Sequence, residues 1–532
     1  AAMILSTSLL AYSQSICLSG YVALLQITVV AGSVSLQHAQ NGSCVGYKCY
    51  DYFNKSNSCQ CNYRCSHYND CCDDYASVCS SATCAKYGCN TVQHNLCDCD
   101  QSCSERRECC GDYYEKCSAP PPPSPTPPYP SGPKGPSEGF HLAPGEDSTS
   151  VTISYTTGKS FVATGVCHLV THGEPVKNFT GVTTTYTDGG WSGSLHAVQI
   201  TGLAADGKTS YFYSCDGSEE FAFVSSPPSG VASFPLTIAA VADMGQECER
   251  EGGGCPNATF AALTEAMSKQ MFGLLLHAGD IAYTSGMQSI WDRYHRELQS
   301  TVAHVPYAVA PGNHEHYYNF SGYRHRYNMP GKARETENLW WSFDWGGVHV
   351  LSFSTEHNYS KGSPQWDFIS QDLATASSVS RRRVVPWIVV QGHRPFYCST
   401  DDYYDCNVLG PMKLGPALET MFTEAGVDVA LFGHLHNYER SWPVSHNGTV
   451  EQRNYNEPTS PVHVVIGGAG DDEGLTDSWQ SPQPAWSAYR IGTVSSMGYA
   501  RMTFHNETTM DFGWYLAANN TRHDGFTLVK KR

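Results

Sequence analysis

The sequence is poor in positive charge. It has 33 lysines and arginines against 50 aspartates and glutamates, and its formal net charge at pH 7 is −17. It contains no long basic stripe, and its run of three arginines at 381–383 is typical of a solvated loop before a strand. Because nucleic-acid binding depends on clustered positive charge, we expect no nucleic-acid partner.

The N-terminal region lacks both charge and a long apolar run. Residues 1–35 contain no Asp, Glu, Lys or Arg, and their most apolar part, 22–32, is too short and too interrupted to span a bilayer. Small residues follow, so we predict a signal peptide within 1–39 that is cleaved between about Ala31 and Ala39. A signal anchor is the alternative, and we expect no membrane span in the mature chain.

Cysteines and glycosylation sequons, by contrast, are abundant. The chain has 23 cysteines, and removal of Cys17 with the signal leaves an even number, which suits an oxidising compartment. Nine N-x-S/T sequons predict glycosylation at Asn41, Asn54, Asn178, Asn257, Asn319, Asn358, Asn447, Asn506 and Asn519. We therefore expect a secreted or extracellular protein, with the cell surface and the cell wall as options.

Sixteen cysteines form two copies of one eight-cysteine pattern, in predicted modules at 40–80 and 81–118. Units of about 40 residues bury too little apolar surface to fold unaided, so disulfides are expected to stabilise them. A metal–thiolate cluster is the competing interpretation, and export argues against it. The pattern, with "CCDDY" at 71–75 and "CCGDY" at 109–113, resembles the somatomedin B family. This resemblance implies a disulfide knot that contacts an extracellular protein partner, while a stalk without a specific ligand remains the alternative.

A linker and a strand-rich region follow the two modules. Ten prolines within 118–137 predict an extended linker over 119–137. From 138 to 229, short alternating apolar runs separated by turn residues predict an all-β sandwich, which resembles the fibronectin type III fold. Cys167 and Cys215 lie on two of these runs, and we expect them to form a disulfide.

From 233 to 532 the pattern changes to strands that alternate with helices, among them a predicted helix at 256–271. Apolar runs buried on both faces, with helical connections, predict a layered α/β fold. In such folds ligands bind at the carboxyl ends of the strands. The polar residues at these ends are therefore the candidate functional site.

Five successive strand ends carry residues that can bind metal ions. The set consists of Asp243, Asp280, Tyr283, Asn313, His314, His393, His434 and His436. Carboxylate, phenolate, amide and imidazole groups without a thiolate favour iron, zinc or manganese. Even seven of these eight residues are too many donors for one ion. Two ions about 3.5–4 Å apart can share them if an aspartate bridges, as in phosphoester hydrolysis.

The sequence around these strand ends resembles the five metal-binding blocks of purple acid phosphatases. The blocks occur in the family's order and read "ADMG" at 242–245, "GDIAY" at 279–283, "GNHE" at 312–315, "VQGH" at 390–393 and "GHLHNYER" at 433–440. The resemblance extends over about 138–532 and implies an α/β layered metallophosphoesterase sandwich. It also implies an acid phosphatase that hydrolyses phosphate monoesters with a metal-activated hydroxide as nucleophile.

The same resemblance divides the donors between two ions. It implies an Fe(III) ion bound by Asp243, Tyr283 and His436. It implies a divalent ion, zinc, iron or manganese, bound by Asn313, His393 and His434. Asp280 would bridge the two ions, and His314 would contact the substrate phosphate.

The segment after His393 departs from the family. Well-known plant members carry a pair of histidines there that binds substrate and protonates the leaving group, whereas this chain has Asp401, Asp402 and Tyr403. The candidates for the leaving-group acid are therefore His314 and Asp402, although solvent-facing aspartates are the simpler interpretation of 401 and 402.

Two more cysteine pairs and one glycine-rich stretch lie near the predicted site. We expect Cys398 to pair with Cys406, and Cys248 to pair with Cys255. The stretch "GGAGDDEG" at 467–474 either lines the pocket or forms a plain turn.

Together these features predict a secreted acid phosphatase that acts on small phosphate esters with an acidic optimum. A phosphodiesterase or phytase-like hydrolase on the same site is the alternative among enzymes. An extracellular binding protein with an inactive phosphatase domain is the alternative from another class, and the intact metal donors argue against it. No feature of the sequence indicates an oligomeric state.

Overall fold

The structure, a computed structural model, describes Cys72, Cys99 and residues 136–531 except 159–162, 247–254, 332, 403 and 446–447. The chain divides into two compact units, Ala1–Ala119 and Pro120–Arg532. Cys72 and Cys99, which belong to the first unit, are buried and disulfide-bonded. The predicted signal, the rest of both cysteine modules and the linker up to 135 lie outside the described residues. Within the described part of the chain, no helix is long and apolar enough to cross a membrane.

The second unit begins with a β-sandwich. Its strands are β1 (Glu138–Pro144), β2 (Val151–Gly158), β3 (Val166–Thr171), β4 (Lys177–Thr180), β5 (Val182–Thr184), β6 (Gly193–Ile200), β7 (Ser210–Cys215) and β8 (Phe221–Val224). They form two four-stranded sheets in the orders β1-β2-β6-β5 and β4-β3-β7-β8. All the pairings are antiparallel, as expected of strands joined by short turns.

The core of the sandwich lies between its two sheets. Phe140 and Ile153 of one sheet meet Leu169 of the other in one buried cluster. Cys167 and Cys215 are directly opposite each other on β3 and β7 and form the expected disulfide. The short strands β4 and β5 are not among the predicted ones, because most of their side chains are exposed and carry no apolar alternation.

The rest of the second unit contains fifteen further strands. They are β9 (Leu236–Val241), β10 (Leu274–Ala278), β11 (Tyr307–Ala310), β12 (Trp341–Trp345), β13 (Val348–Ser352), β14 (Trp387–Gln391), β15 (Val429–Phe432), β16 (Tyr438–Ser441), β17 (Val444–Ser445), β18 (Thr449–Val450), β19 (Val462–Ile466), β20 (Ser487–Ile491), β21 (Gly498–Phe504), β22 (Thr509–Leu516) and β23 (Arg522–Val529). β17 and β18 form a small hairpin. The others form a six-stranded sheet, β11-β10-β9-β21-β22-β23, and a seven-stranded sheet, β12-β13-β14-β15-β19-β16-β20.

Both large sheets contain a group of parallel strands, which is one half of the six-stranded sheet and the centre of the seven-stranded sheet. In the six-stranded sheet β9, β10 and β11 run parallel, and in the seven-stranded sheet β13, β14, β15 and β19 do. The parallel strands require crossover connections, which the helices supply. Because parallel neighbours end at the same edge, the loops after β9, β10 and β11 lie side by side, as do those after β14 and β15.

Helices occupy the crossovers and the outer surfaces of the sheets. They are α1 (Asn257–Ser268), α2 (Gln288–Val302), α3 (Tyr317–Arg326), α4 (Pro364–Ala376), α5 (Val379–Arg382) and α6 (Thr420–Glu424), with a π-helical segment at Asp405–Glu419. α4 begins as its sequence predicts: Ser363 caps it by accepting the Trp366 N–H at 3.2 Å, and Pro364 follows in the first turn. α1 matches the predicted helix at 256–271, ending three residues earlier.

The two large sheets face each other across an apolar layer. Ile238 of the six-stranded sheet and Val389 of the seven-stranded sheet are buried in the same cluster. The next residues along β14, Ile388 and Val390, belong to a different cluster that includes Leu373 of α4. This alternation buries both faces of β14, as the continuous apolar run of its sequence predicts.

A buried polar contact joins the β-sandwich to the α/β part of the second unit. Arg326 of α3 donates from Nη1 to Asp292 Oδ1 at 2.7 Å and from Nε to Tyr186 Oη at 2.9 Å. Trp191 donates to the other carboxylate oxygen of Asp292 at 2.9 Å. Losing one partner of such a buried pair costs about 3–5 kcal/mol, so this contact fixes the two parts relative to each other.

Candidate metal centre

The predicted metal ligands lie on loops that follow strands of both large sheets. Asp243 and Asp280 each stand two residues beyond the ends of β9 and β10 in the six-stranded sheet. His393 and His434 stand two residues beyond the ends of β14 and β15 in the seven-stranded sheet. Gly433 N donates to the carbonyl of His393 at 2.8 Å, so the last two loops are joined directly.

Four of the predicted ligands have a left-handed backbone. The φ angles of Asp243, Asp280, Tyr283 and His434 are 55°, 50°, 48° and 71°. A residue with a β-carbon pays about 1 kcal/mol or more for this conformation, and such strain is concentrated at functional sites. The conformation turns each side chain back over the strand ends and towards the others.

Two glycines of the predicted blocks allow the ligands to approach closely. A β-carbon on Gly279, whose φ is +86°, would lie 2.5 Å from His393 Nδ1. A β-carbon on Gly433 would lie 2.3 Å from Asp243 Oδ2. Since neither distance leaves room for a side chain, the glycine before Asp280 and the one before His434 follow from packing of the site.

One group of donors surrounds Asp280. Its Oδ2 lies 2.9 Å from His393 Nε2, and the amide oxygen of Asn313 lies 3.0 Å from the same nitrogen. Asp280, His393 and His434 each offer a ligand atom, and these three atoms lie within 4.8 Å of one another. This grouping contains the donors that the family resemblance assigns to the divalent ion.

A second group surrounds Tyr283. The phenol oxygen lies 3.2 Å from Asp243 Oδ1 and 3.0 Å from His436 Nε2, and all three residues are buried. These are the three side chains that the resemblance assigns to the ferric ion. The charge of Asp280 acts on both groups, since it raises the pKa of Asp243 and interacts with His393.

The titration behaviour of these side chains reflects how much negative charge is buried here. Burial raises the pKa of Asp243 well above its usual range, and the charge of Asp280 raises it further. Burial would also raise the pKa of Asp280, but the neighbouring His393 and His314 bring it below its usual range. Burial opposes the charge on His393, yet Asp280 raises the pKa of His393 to about 10. A positive charge beside Asp280 is therefore strongly favoured.

The surroundings of Tyr283 oppose ionisation of its phenol. Burial raises the pKa of its phenol well above the usual value, and the carboxylates of Asp243, Asp471 and Asp280 raise it further. A phenolate at this position would therefore need a compensating cation at its oxygen.

Hydrogen bonds hold the outer nitrogen of each predicted histidine ligand. His393 donates from Nδ1 to the carbonyl of Ala278 at 3.0 Å, and His436 donates from Nδ1 to the carbonyl of Gly474 at 2.9 Å. Both rings therefore direct Nε2 at the donor groups. His434 is reversed, since its Nε2 contacts Asp405 and Arg394 at 3.0 and 2.9 Å. Orientation of this kind is usual behind metal-binding histidines.

The donor set fits two metal ions. Asp280 Oδ2 is buried without a well-aligned hydrogen bond, and the charge of His393, whose Nε2 lies 2.9 Å away, is what offsets its own. A buried carboxylate oxygen without a donor is costly in a metal-free protein and is the expected state of a ligand atom. The chemistry of the set, three oxygens from carboxylate or phenol, one amide and three imidazoles, also agrees with iron and a borderline divalent ion.

Glu315 organises the loops that carry Asp280 and Asn313. Its carboxylate accepts the backbone N–H groups of Asp280, Ile281 and Gly312 at 3.0, 3.0 and 2.8 Å. Burial and the charge of Asp280 raise its pKa to about 8. The sequence shows Glu315 only as the last letter of a block, so its role as an acceptor for three N–H groups is a structural finding.

His314 lies at the mouth of the site. Its side chain is 22% exposed, and its Nε2 is 3.9 Å from Asp280 Oδ2 and 3.5 Å from Glu473 Oε1. Its backbone N–H donates to Asp280 Oδ1 at 2.7 Å, and its ring packs on Tyr283 with a centroid distance of 4.2 Å. This position gives the imidazole access to solvent and to the donor groups at the same time.

The glycine-rich stretch at 467–474 lines the site. Asp471 is buried, and its Oδ2 lies 3.1 Å from His436 Nδ1. Its neighbour Glu473 contacts His314. Of the two interpretations of this stretch, the structure therefore favours the pocket lining.

The loop after His393 contains a site residue that differs from the predicted one. Cys398 and Cys406 form the expected disulfide. Asp401 and Asp402 are exposed, and Asp402 Oδ1 accepts the backbone N–H of Asp405 at 3.1 Å. It is Asp405, three residues further on, that is buried and lies against His434. Asp402 as leaving-group acid stays a prediction, while Tyr403 is outside the described residues.

The remaining predicted sites are placed as follows. Cys255 is disulfide-bonded, and its expected partner Cys248 lies outside the described residues. Six of the nine sequon asparagines are described and all six are exposed, namely Asn178, Asn257, Asn319, Asn358, Asn506 and Asn519. Asn41, Asn54 and Asn447 lie outside the described residues.

Comparison with known protein families gives four matches along the chain. Residues 42–82 match the somatomedin B domain, and residues 137–234 match the N-terminal domain of purple acid phosphatases. Residues 236–438 match the calcineurin-like phosphoesterases, and residues 460–525 match the iron/zinc purple acid phosphatase-like protein C family.

Individual proteins show the same similarity. An acid phosphatase type 7 from Danio rerio is 35% identical over 340 residues, which cover 59% of this chain and 72% of that protein. Purple acid phosphatase 21 from Arabidopsis thaliana is 30% identical over 411 residues, covering 74% of this chain and 85% of that protein. The solved structure of a purple acid phosphatase from yellow lupin seeds superposes with a TM-score of 0.66 at 22% identity, covering 75% of each chain, which shows a shared fold.

Proposed function

Because the chain belongs to the purple acid phosphatase family, we propose that it is a secreted acid phosphatase that hydrolyses phosphate monoesters at an Fe(III)–divalent metal centre. The observation that carries this proposal is the convergence of all seven predicted donors, from five loops of two sheets, on two adjacent groups. A family member that had lost catalysis would be under no constraint to keep this set.

The seven donors would bind the two metal ions as the resemblance implies. Asp243, Tyr283 and His436 would hold the ferric ion, Asn313, His393 and His434 the divalent ion, and Asp280 would bridge. When bound, such a pair of ions polarises the phosphate and activates a water as nucleophile. Glu315 fixes the backbone of Asp280 and so presets the spacing of the two groups.

His314 is placed to handle the substrate. Its imidazole faces solvent at the mouth, beside the bridging carboxylate, so it can donate a hydrogen bond to a phosphate oxygen or a proton to the leaving oxygen. Glu473 Oε1 lies 3.5 Å from Nε2 on the solvent side of the ring. We therefore assign the proton transfer to His314, with Asp402 as the second candidate.

The leaving group provides a test of this assignment. His314→Asn is expected to lower kcat by about 10²–10⁴-fold on an alkyl phosphate, whose leaving oxygen needs a proton, and much less on p-nitrophenyl phosphate. Steady-state rates with the two substrates measure the difference. If Asp402→Asn shows this discrimination and His314→Asn does not, the roles are exchanged.

The N-terminal region adds a proposal about location. The somatomedin B match at 42–82 supports an extracellular setting and a contact with an extracellular protein. The second eight-cysteine module at 81–118 and the fibronectin type III-like character of the sandwich rest on their sequence patterns. In this proposal the modules bind an extracellular surface or protein partner.

The reaction itself tests the proposed function. The purified full chain is expected to contain two metal ions and to hydrolyse p-nitrophenyl phosphate at least about tenfold faster than bis-p-nitrophenyl phosphate in kcat/KM, with an acidic optimum. Elemental analysis and the two rates are measured on the same preparation. A preference for the bis-ester would make the protein a phosphodiesterase, and fewer than two ions without activity would favour a binding protein.

A further inference from the structure

The outer side of His434 is occupied by a chain of charged side chains. Asp405 Oδ2 lies 3.0 Å from His434 Nε2, and Arg394 Nη1 donates to Asp405 Oδ1 at 2.8 Å. Arg394 Nε in turn donates to Glu356 Oε1 at 2.9 Å. Two carboxylates and one guanidinium thus form a connected network, and its end is the ring of a predicted ligand of the divalent ion.

The network is rigidly held within the fold. Asp405 is buried at the start of the π-helical segment, and the disulfide between Cys398 and Cys406 closes the loop that carries it. Arg394 directly follows His393, so the position of the guanidinium is tied to that of a second ligand. The backbone N–H of Arg394 also donates to Thr355 Oγ1 at 3.0 Å. Because Asp405 and Arg394 each have several fixed partners, they can hold the ring of His434 in one orientation.

Only one of the two contacts at His434 Nε2 is compatible with a metal on the other ring nitrogen. A metal bound to Nδ1 uses the lone pair of that nitrogen, so the ring proton must be on Nε2. An N–H group cannot accept the hydrogen bond that Arg394 Nη1 offers at 2.9 Å. The carboxylate of Asp405 is the acceptor of the pair, and it lies within hydrogen-bond distance.

From this geometry we propose that Asp405 is the positioning residue of the divalent metal site. It accepts the Nε2 proton of His434, fixes the ring with Nδ1 towards Asp280 and His393, and adds negative charge behind the ion. Arg394, which Glu356 anchors, keeps the carboxylate of Asp405 in place. It thereby prevents this carboxylate from moving towards the ion. This inference rests on the dinuclear centre of the proposed function and assigns to Asp405 a role that Asp402 does not have.

The expected consequence is a loss of one ion and not of the other. Carboxylates behind metal-binding histidines typically contribute about 10–100-fold in metal affinity. Asp405→Ala is therefore expected to raise the dissociation constant of the divalent ion by about 10–100-fold, and Asp405→Asn, which keeps an oxygen acceptor but loses the charge, by less. The ferric ion, held by Asp243, Tyr283 and His436, should remain.

The experiment follows both ions in the oxidised holoenzyme during competition with a chelator at fixed pH. Retained divalent metal is measured by elemental analysis, and the ferric site by its phenolate charge-transfer band in the visible spectrum. Tyr283→Phe serves as the opposite case, because it should abolish the band while the divalent ion remains. Asp401→Asn removes a charge from the same disulfide-closed loop at an exposed position and should behave as wild type.

The outcomes separate this inference from the proposed function. Selective loss of the divalent ion in Asp405→Ala, with the band and the far-UV circular dichroism spectrum unchanged, supports the positioning role. Retention of that ion within twofold of wild type, or equal loss of both ions, would falsify it. A wild-type protein with fewer than two ions would instead overturn the dinuclear centre on which the inference rests.

Discussion

Replacing Asp280 with asparagine is expected to abolish the dinuclear centre and to lower kcat/KM by at least about 10³-fold, equivalent to about 4 kcal/mol of transition-state stabilisation. Asparagine tolerates the left-handed backbone of this position and keeps an oxygen for the N–H of His314, so the loop should be preserved. What is lost is the buried charge beside His393. Both ions depend on that charge if Asp280 bridges them.

Asp243→Asn is the matched comparison for this prediction. Asp243 is also buried, also left-handed and also beyond a strand of the six-stranded sheet, but its contacts are to Tyr283 and to the backbone of His434. It should therefore lose the ferric ion first, whereas Asp280→Asn should lose both. Metal content and the visible band distinguish the two variants. An Asp280→Asn protein that retains two ions, or that loses the same single ion as Asp243→Asn, would show that Asp280 does not bridge.

A second large effect is expected from His463, a histidine that is not a predicted metal ligand. His463 on β19 is fully surrounded by the rings of Phe396, Tyr397 and Phe432, and neither of its ring nitrogens has a hydrogen-bond partner among the described residues. Burial lowers the pKa of His463 from 6.5 to about 3. Below pH 6.5, therefore, His463 binds a proton in the unfolded chain but not in the folded protein. The free energy of unfolding consequently falls as the pH decreases towards 3.

His463→Phe removes this titration while keeping a ring in the aromatic cluster. Relative to wild type, the variant should gain about 2–3 kcal/mol more at pH ~4.5 than at pH ~7, since two pH units below the unfolded pKa correspond to about 2.7 kcal/mol. Scanning calorimetry at the two pH values measures the gain. His172→Phe, at an exposed position, is the control and should show no such difference. An equal change at both pH values for His463→Phe would mean that the ring titrates in the folded protein.

The sequence predicted where most of the candidate ligands lie, because these residues obey a local rule. Asp243, Asp280, His393 and His434 each stand two residues after a buried apolar strand, and the end of a strand is visible as a change from apolar to polar residues. Parallel strands then bring such ends to one edge of a sheet. Tyr283 and His436 follow within three residues of those positions, so short loops suffice to place them.

Asp405, Arg394 and Glu356 follow no such rule. Asp405 is 29 residues from His434 along the chain and reaches it through a π-helical segment that contains Pro411 and Pro416. Asp401 and Asp402 are equally plausible candidates by sequence position. Only the three-dimensional contact distinguishes the buried carboxylate from the two exposed ones. The assignment of each strand to one of the two sheets likewise depends on long-range pairing, which the periodicity of the sequence does not predict.

The distribution of the ligands over those two sheets has a mechanical consequence. If the assignments hold, the ferric ion joins Asp243 and Tyr283 of the six-stranded sheet to His436 of the seven-stranded sheet, and the divalent ion joins Asn313 to His393 and His434 in the same way. Each ion then acts as a cross-link between the two halves of the fold, comparable to a disulfide. At a free concentration of about 1,000 times its dissociation constant, one such ion stabilises the folded state by about 4 kcal/mol. A strong chelator should therefore act on this enzyme as a denaturant as well as an inhibitor.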